Sequence, residues 1–229
     1  MFSYMEARAD DDPALLVIGL HGSPWHLYGP DQRIMEPSEL AAQVRTYGPV
    51  IKKVVLLSSW SGIAPGPGSK SVAQRLALAL DGTQVVGQDG FTWFAKDGAV
   101  HTTRQAFSTY VSRGPYRVER GGDVMAAMVS AAAISMEADW RKAKNARGML
   151  GVGAGYDQFS LCPDKAMQAF EAGATFGSAI AAYNAALMRL ERNEPGDRKA
   201  ALALLARAAA LGDAPAKARL ASVGAPGAP

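Results

Sequence analysis

The chain has one cysteine, Cys162, among 229 residues, so it can form neither an internal disulfide nor a paired-cysteine metal knuckle, and it fits a reducing cytoplasm. Histidine is almost as scarce. His21, His26 and His101 are too few and too unevenly spaced for a zinc site, and no metal or cofactor is expected. No apolar run approaches the roughly 20 residues that a membrane-crossing helix needs. The acidic opening MFSYMEARADDD lacks the basic and apolar regions of a signal peptide, so a soluble chain without an export signal or membrane span is expected. Charge of one sign is also missing. The 24 Lys and Arg against 21 Asp and Glu leave a net charge of only +3, scattered without a basic arm, which sets nucleic acid aside as a partner. What is present is an ordinary globular composition, 48% hydrophobic and 20% charged, which excludes disordered, collagenous and coiled-coil classes. The length suits one large domain or two small ones, each able to bury a core.

The chain changes character near its middle. LLVIGL at Leu15–Leu20 and VVLLS at Val54–Ser58 are short apolar runs without alternation, as expected of parallel strands buried on both faces. Between them lies a helical stretch that Ser38 would cap and Gly48 would end. SVAQRLALAL, from Ser71, predicts a second helix and TQVVG a third strand. GFTWFAKDGAVHTT then reads as a hairpin turning at Asp97 and Gly98. Residues 1–115 are thus expected to form an α/β domain, a mainly parallel sheet flanked by helices. Residues 116–229 read as an Ala-rich α-helical region. Its segments are DVMAAMVSAAAISMEADWRKAKNA, a long PDKAMQAFEAGATFGSAIAAYNAALMRLERN interrupted near Gly173 and Gly177, and DRKAALALLARAAALGDAPAKARLASVG. The last resembles one Sel1-type or tetratricopeptide-type helical hairpin, which must pack on its neighbours. The tail GAPGAP is expected to be disordered.

His21 and Gly22 directly follow the first strand; Ser58, Ser59, Trp60, Ser61 and Gly62 follow the second. Loops at the carboxyl ends of neighbouring parallel strands face one crevice, so the two segments should meet. A histidine beside a nucleophile-type side chain is the minimal pair for acyl transfer, and the Gly22 N–H would be accessible to an oxyanion. The plainer reading makes His21 a strand-end residue and the serines turn residues. Asp89, after the third strand, would orient His21, contact substrate, or simply form a turn before Gly90.

VVLLSSWSG, then SVAQRLALAL, TQVVGQDGFTW and KDG, resemble a domain found at the ends of bacterial polymorphic toxins and effectors. In that domain the strand usually ends in Ser-Cys-x-x-Gly, and it is similar to the caspase-like cysteine peptidases, whose His-Gly and Cys follow successive strands of a parallel sheet. The resemblance covers Ala14 to His101 and implies a caspase-like sheet. By position it implies His21 as the catalytic histidine, Gly22 as the oxyanion-side glycine and Ser59 in place of the cysteine nucleophile; Ser58, Trp60 and Asp89, at the same predicted sheet edge, are the further candidates for the oxyanion and substrate side. It implies a protein or peptide substrate, no cofactor, and a delivery-machine or immunity protein as partner. The setting would be the cytoplasm of the producing bacterium or secretion without a signal peptide. Serine at 59 is a departure, because a hydroxyl needs concerted deprotonation by an aligned base. It leaves three readings: a serine placed to trap an inactive enzyme, a natural pseudoenzyme, or a serine hydrolase. A non-catalytic interaction module is the rival from another class.

Other motifs are weaker. GPGSKS at Gly66–Ser71 breaks the Walker pattern with Ser69 and is expected to turn the chain and cap a helix. SSWSG is not a G-x-S-x-G elbow. His26 is expected on a surface loop, Trp60 and Trp93 in the core or the crevice wall, and Cys162 as a small packing residue at a helix start.

Overall fold

The apolar runs do form strands. The chain, a computed structural model that describes residues 12–94, 99–103 and 135–224, divides into two compact units. The first takes in described residues 12–30, 35–94 and 99–103; the second takes in 31–34 and 135–224. Up to residue 103 the elements run β1 (Leu15–Ile18), β2 (His21–Gly22), β3 (Leu27–Tyr28), β4 (Ile34–Met35), α1 (Pro37–Arg45), β5 (Lys53–Leu56), α2 (Val72–Ala79), β6 (Gln84–Val86), β7 (Phe91–Phe94) and β8 (Val100–Thr103). β1, β5 and β6 make a parallel sheet in that order, with Leu16 opposite Val54 and Val54 opposite Val85. The expected hairpin is β7 paired antiparallel with β8; its turn at Asp97 and Gly98 lies outside the described residues.

Because β1–α1–β5 and β5–α2–β6 step the same way across the sheet, right-handed crossovers put both helices on one face. That face is the core: Val54 and Leu56 of β5, Leu40, Ala41 and Val44 of α1, and Val72, Ala73 and Leu76 of α2, with Leu16, Ile18 and Val85 packed against them. The Arg45 guanidinium donates to the Ala79 carbonyl and ties the two helix ends together. The expectation of strands buried on both faces is corrected. β1 is half-buried along its whole length and β5 alternates between buried and more exposed positions, because β1 is an edge strand and both helices share a face. Ser38 does not cap α1 either: Glu36 stands at the cap and Pro37 opens the helix, its fixed φ suited to that position. Gly48 does turn the chain behind α1, at φ +86°. Ser71 caps α2 in a reciprocal box with Gln74, at 3.2 and 2.9 Å, the role expected at the end of GPGSKS.

The second unit is helical wherever residues 135–224 are described in regular structure: residues 135–142, then α3 (Ala146–Gln158), α4 (Pro163–Thr175), α5 (Ala179–Arg192), α6 (Asp197–Ala210) and α7 (Ala214–Gly224), with consecutive helices packed on one another. The expected long helix from Pro163 breaks at Gly177 (φ +101°), and Ser178 caps α5 through the Ala181 N–H at 3.0 Å. Gly173 stays inside α4. The expected terminal hairpin is α6 and α7, turning at Gly212 with Asp213 accepting the Ala216 N–H at 2.7 Å. Residues 116–134 lie outside the described residues. Among those described, no helix is long and apolar enough to cross a membrane.

Asp197, 1% exposed at the start of α6, joins α5 to α6. It accepts from Arg192 Nε and Nη2 at 2.8 and 2.7 Å, from Arg189 Nη1 at 2.7 Å and from the Glu194 N–H at 3.0 Å. The Arg192 guanidinium holds its carboxyl well below the usual carboxylate range, against the opposing effect of burial. A depressed native pKa stabilises the fold above the unfolded value, near 3.9, and this contribution fades as pH falls below it. Asp197→Asn is therefore expected to lower the melting midpoint by about 5 °C at pH 7. The gap to the parent protein should narrow in melts between pH 4 and pH 2.

Candidate functional site

The site begins where β5 ends. The Ser61 N–H donates to the Ser58 carbonyl at 3.2 Å, closing a four-residue turn whose third residue, Trp60, has φ +63°. That is the signature of a type II turn, where glycine is the usual third residue and a bulky one is uncommon. The surroundings hold it there: Trp60 is 2% exposed, and its N–H donates to the Gly90 carbonyl at 2.9 Å. Ser61, fully buried, pins the same turn. Its hydroxyl donates to the Ser58 carbonyl at 2.7 Å and accepts the Gln88 N–H at 3.0 Å. The Gly62 N–H donates to the Gln88 carbonyl at 2.8 Å, and Gln88 Nε2 donates to the Leu56 carbonyl at 3.2 Å. A side chain at Gly87 would lie 2.5 Å from the Gly62 nitrogen, so the loops after β5 and β6 touch backbone to backbone. Ser61→Ala would leave the half-buried Gln88 N–H without its acceptor and the Ser58 carbonyl with one donor, the residue 61 N–H, in place of two. It is expected to cost about 1–3 kcal/mol of stability in denaturant titrations.

The loop after β1 closes on this turn. Gly22 is buried, and a Cβ there would stand 3.0 Å from the Ser59 carbonyl oxygen and 3.3 Å from Ser58 Cβ. Leu20 N–H donates to Ser58 Oγ at 3.3 Å, which makes the buried Ser58 hydroxyl a joint between the loops. The Ser23 N–H donates to the His26 carbonyl at 2.9 Å; antiparallel alternation then makes Gly22–Leu27 a pair without mutual hydrogen bonds and turns the Gly22 N–H away from β3. Neither that N–H nor the Ser59 N–H finds an acceptor among the described residues. His21 is exposed, and its ring has no partner among them. The Ser59 hydroxyl accepts the Thr92 N–H at 3.0 Å. Thus the fold brings His21–Gly22 and Ser58–Ser59 together, with two N–H donors unspent beside a serine.

Asp89 accepts from Thr102 Oγ1 at 3.2 Å across the hairpin, and His21 meets no carboxylate among the described residues. Two expectations are corrected. His26 is not on the surface but 4% exposed, edge-on to Tyr28 with its N–H on Ser23 Oγ at 3.0 Å, because Ser23 folds the β2–β3 turn inward. The Arg75 guanidinium also fastens the Trp25 carbonyl to α2. Trp93 is 37% exposed and stacks on His101 at 4.4 Å, since the directly opposed pair lies on an open side of the two-stranded hairpin. Cys162 is buried at the start of α4, where burial pushes its thiol up instead of activating it. Among the described residues no cluster of three or more His, Cys, Asp or Glu side chains is placed to hold a metal ion. Reading the sequence missed Thr92, Gln88 and Gly87; the available signal was a glycine in each of two successive strand-end loops, Gly62 and Gly87.

Residues 2–102 match the model of a family described as "Domain of unknown function (DUF8616)", a match that ends within β8 and leaves the helices of residues 135–224 outside it. No curated protein and no solved structure matches the chain.

Proposed function

We propose that the first unit is a caspase-like peptidase domain of a bacterial effector or toxin, with His21 and residue 59 as its base and nucleophile. The observation that carries this reading is the seating of Gly22 on the Ser58–Ser59 backbone, which puts the histidine segment against the nucleophile turn. With cysteine at 59, the thiolate would attack the peptide carbonyl carbon, and the N–H groups of Gly22 and residue 59 would hold the oxyanion. His21 would deliver the proton to the departing amine, leaving a thioester that water hydrolyses. With Ser59 the site would bind an acyl substrate and turn it over slowly. The second unit, ending in its Sel1-like hairpin, would dock a delivery or immunity protein.

One observation favours a second reading, a non-catalytic interaction module: His21 has no carboxylate to orient it among the described residues, as a serine hydrolase would require. Peptide hydrolysis by the parent, Ser59→Cys and Ser59→Cys/His21→Ala proteins separates the two. Thiol-dependent turnover confined to the second protein supports the peptidase, and none in any supports the module.

A further inference from the structure

We propose that the main-chain N–H of Thr92 is a positioning donor for the side-chain atom of residue 59, built to hold that atom when it is ionised. This rests on the reading of position 59 as the nucleophile. Thr92 lies in β7 and faces Thr102 of β8, yet its N–H goes to Ser59 Oγ at 3.0 Å. Thr92–Thr102 is therefore a pair without mutual hydrogen bonds in the ladder, and the next pairs, Phe91–Thr103 and Trp93–His101, carry the hairpin's bonds. The strand spends no ladder bond on this contact and directs a donor outward to the neighbouring turn.

The turn holds residue 59 to meet it. Trp60 N–H is bound to the Gly90 carbonyl, one residue before β7, so turn and strand are tied on both sides of the contact. The Thr92 side chain adds nothing to it: the hydroxyl is buried and has no partner among the described residues. The donor is thus the backbone, fixed by the hairpin, in a part-buried setting where a hydrogen bond to an anion is stronger than in water. A thiol at 59 would lose its proton to solvent or to His21, and the sulfur would keep the Thr92 N–H as a charge-assisted bond. The anion would then be stabilised without requiring a protonated His21 beside it.

The test uses the full chain carrying Ser59→Cys, with the parent chain supplying the background reaction of Cys162. Iodoacetamide alkylation is followed against pH, and the Thr92 amide proton is followed by NMR over the same range. The expected midpoint is at least one unit below the ordinary thiol value of about 8.5. The Thr92 amide should shift downfield with that midpoint, and both features should persist in Ser59→Cys/His21→Ala. Thr92→Val keeps the N–H and should leave the midpoint in place. Thr92→Pro removes the donor without costing a ladder bond and should return the midpoint toward 8.5. A midpoint of 8.5 or above, an amide that ignores the titration, or a depression lost with His21 would overturn the proposal. The amide response decides the matter even if Thr92→Pro does not fold. These outcomes concern ionisation; the peptidase reading stands or falls separately on peptide turnover.

Discussion

The Ser59→Cys protein is expected to hydrolyse peptides that the parent chain leaves nearly intact, and addition of His21→Ala should remove about 10²- to 10⁴-fold of that rate. A thiol near pKa 8.5 already supplies some thiolate at neutral pH, whereas a serine hydroxyl reacts only while an aligned base takes its proton. Alignment is what the parent site lacks. His21 is exposed, with no carboxylate beside it among the described residues, so nothing there fixes the ring orientation that a serine mechanism demands. On the peptidase reading the N–H groups of Gly22 and residue 59, which meet no acceptor among the described residues, would serve either nucleophile, which makes the element at position 59 the deciding variable. Assaying a peptide panel and bacterial lysate with and without iodoacetamide checks this. Equal inactivity of the serine and cysteine forms would leave the interaction module ahead, and rapid hydrolysis by the serine form would identify a serine enzyme.

The parallel order of β1, β5 and β6 was legible because a buried strand has to be written in contiguous apolar residues, and the meeting of Gly22 with the Ser58–Ser59 turn followed from the geometry of strand ends. Residues whose role depends on their backbone were not legible. Thr92 acts through an N–H that every non-proline residue has, and Gly87 through the absence of a side chain. Residues 31–34 carry no sign that they belong with the helices. The fully buried Asn184 of α5 claims them, accepting the Ile34 N–H and donating to the Gln32 carbonyl, each at 2.9 Å, while the Arg33 guanidinium lies 4.2 Å from the centre of the Tyr183 ring. Helix α3 falls inside the expected helical region but was not singled out as a segment of it, for a different reason. Its ARGMLGVGAGYDQ carries glycine at 148, 151, 153 and 155, and glycine costs roughly 1 kcal/mol per position relative to alanine in a helix, so local propensity argues against the element that tertiary packing selects.

That packing makes the glycines of α3 unequal, and substitution should expose the difference. A Cβ at Gly153 would stand 2.4 Å from Phe170 Cδ1 and 2.5 Å from Cε1, and Phe170 is fully buried in α4 with no route to solvent. Two turns of dense core cannot absorb that overlap, so Gly153→Ala should cost up to about 3 kcal/mol and Gly153→Val more, enough to lower the melting midpoint by about 10 °C. Gly151, two residues earlier in the same helix, has among the described residues outside its own helical turn only Gln32 Oε1 within 4 Å of the added atom, at 3.8 Å, an ordinary contact. Gly151→Ala should therefore gain up to about 1 kcal/mol, because alanine fixes the helix at a smaller entropic cost than glycine. Thermal and denaturant melts of the two alanine variants, run side by side, should move in opposite directions. A Gly153→Ala protein as stable as its parent would mean that Phe170 has room to turn aside, and that α3 and α4 are not held at the close approach the glycine permits.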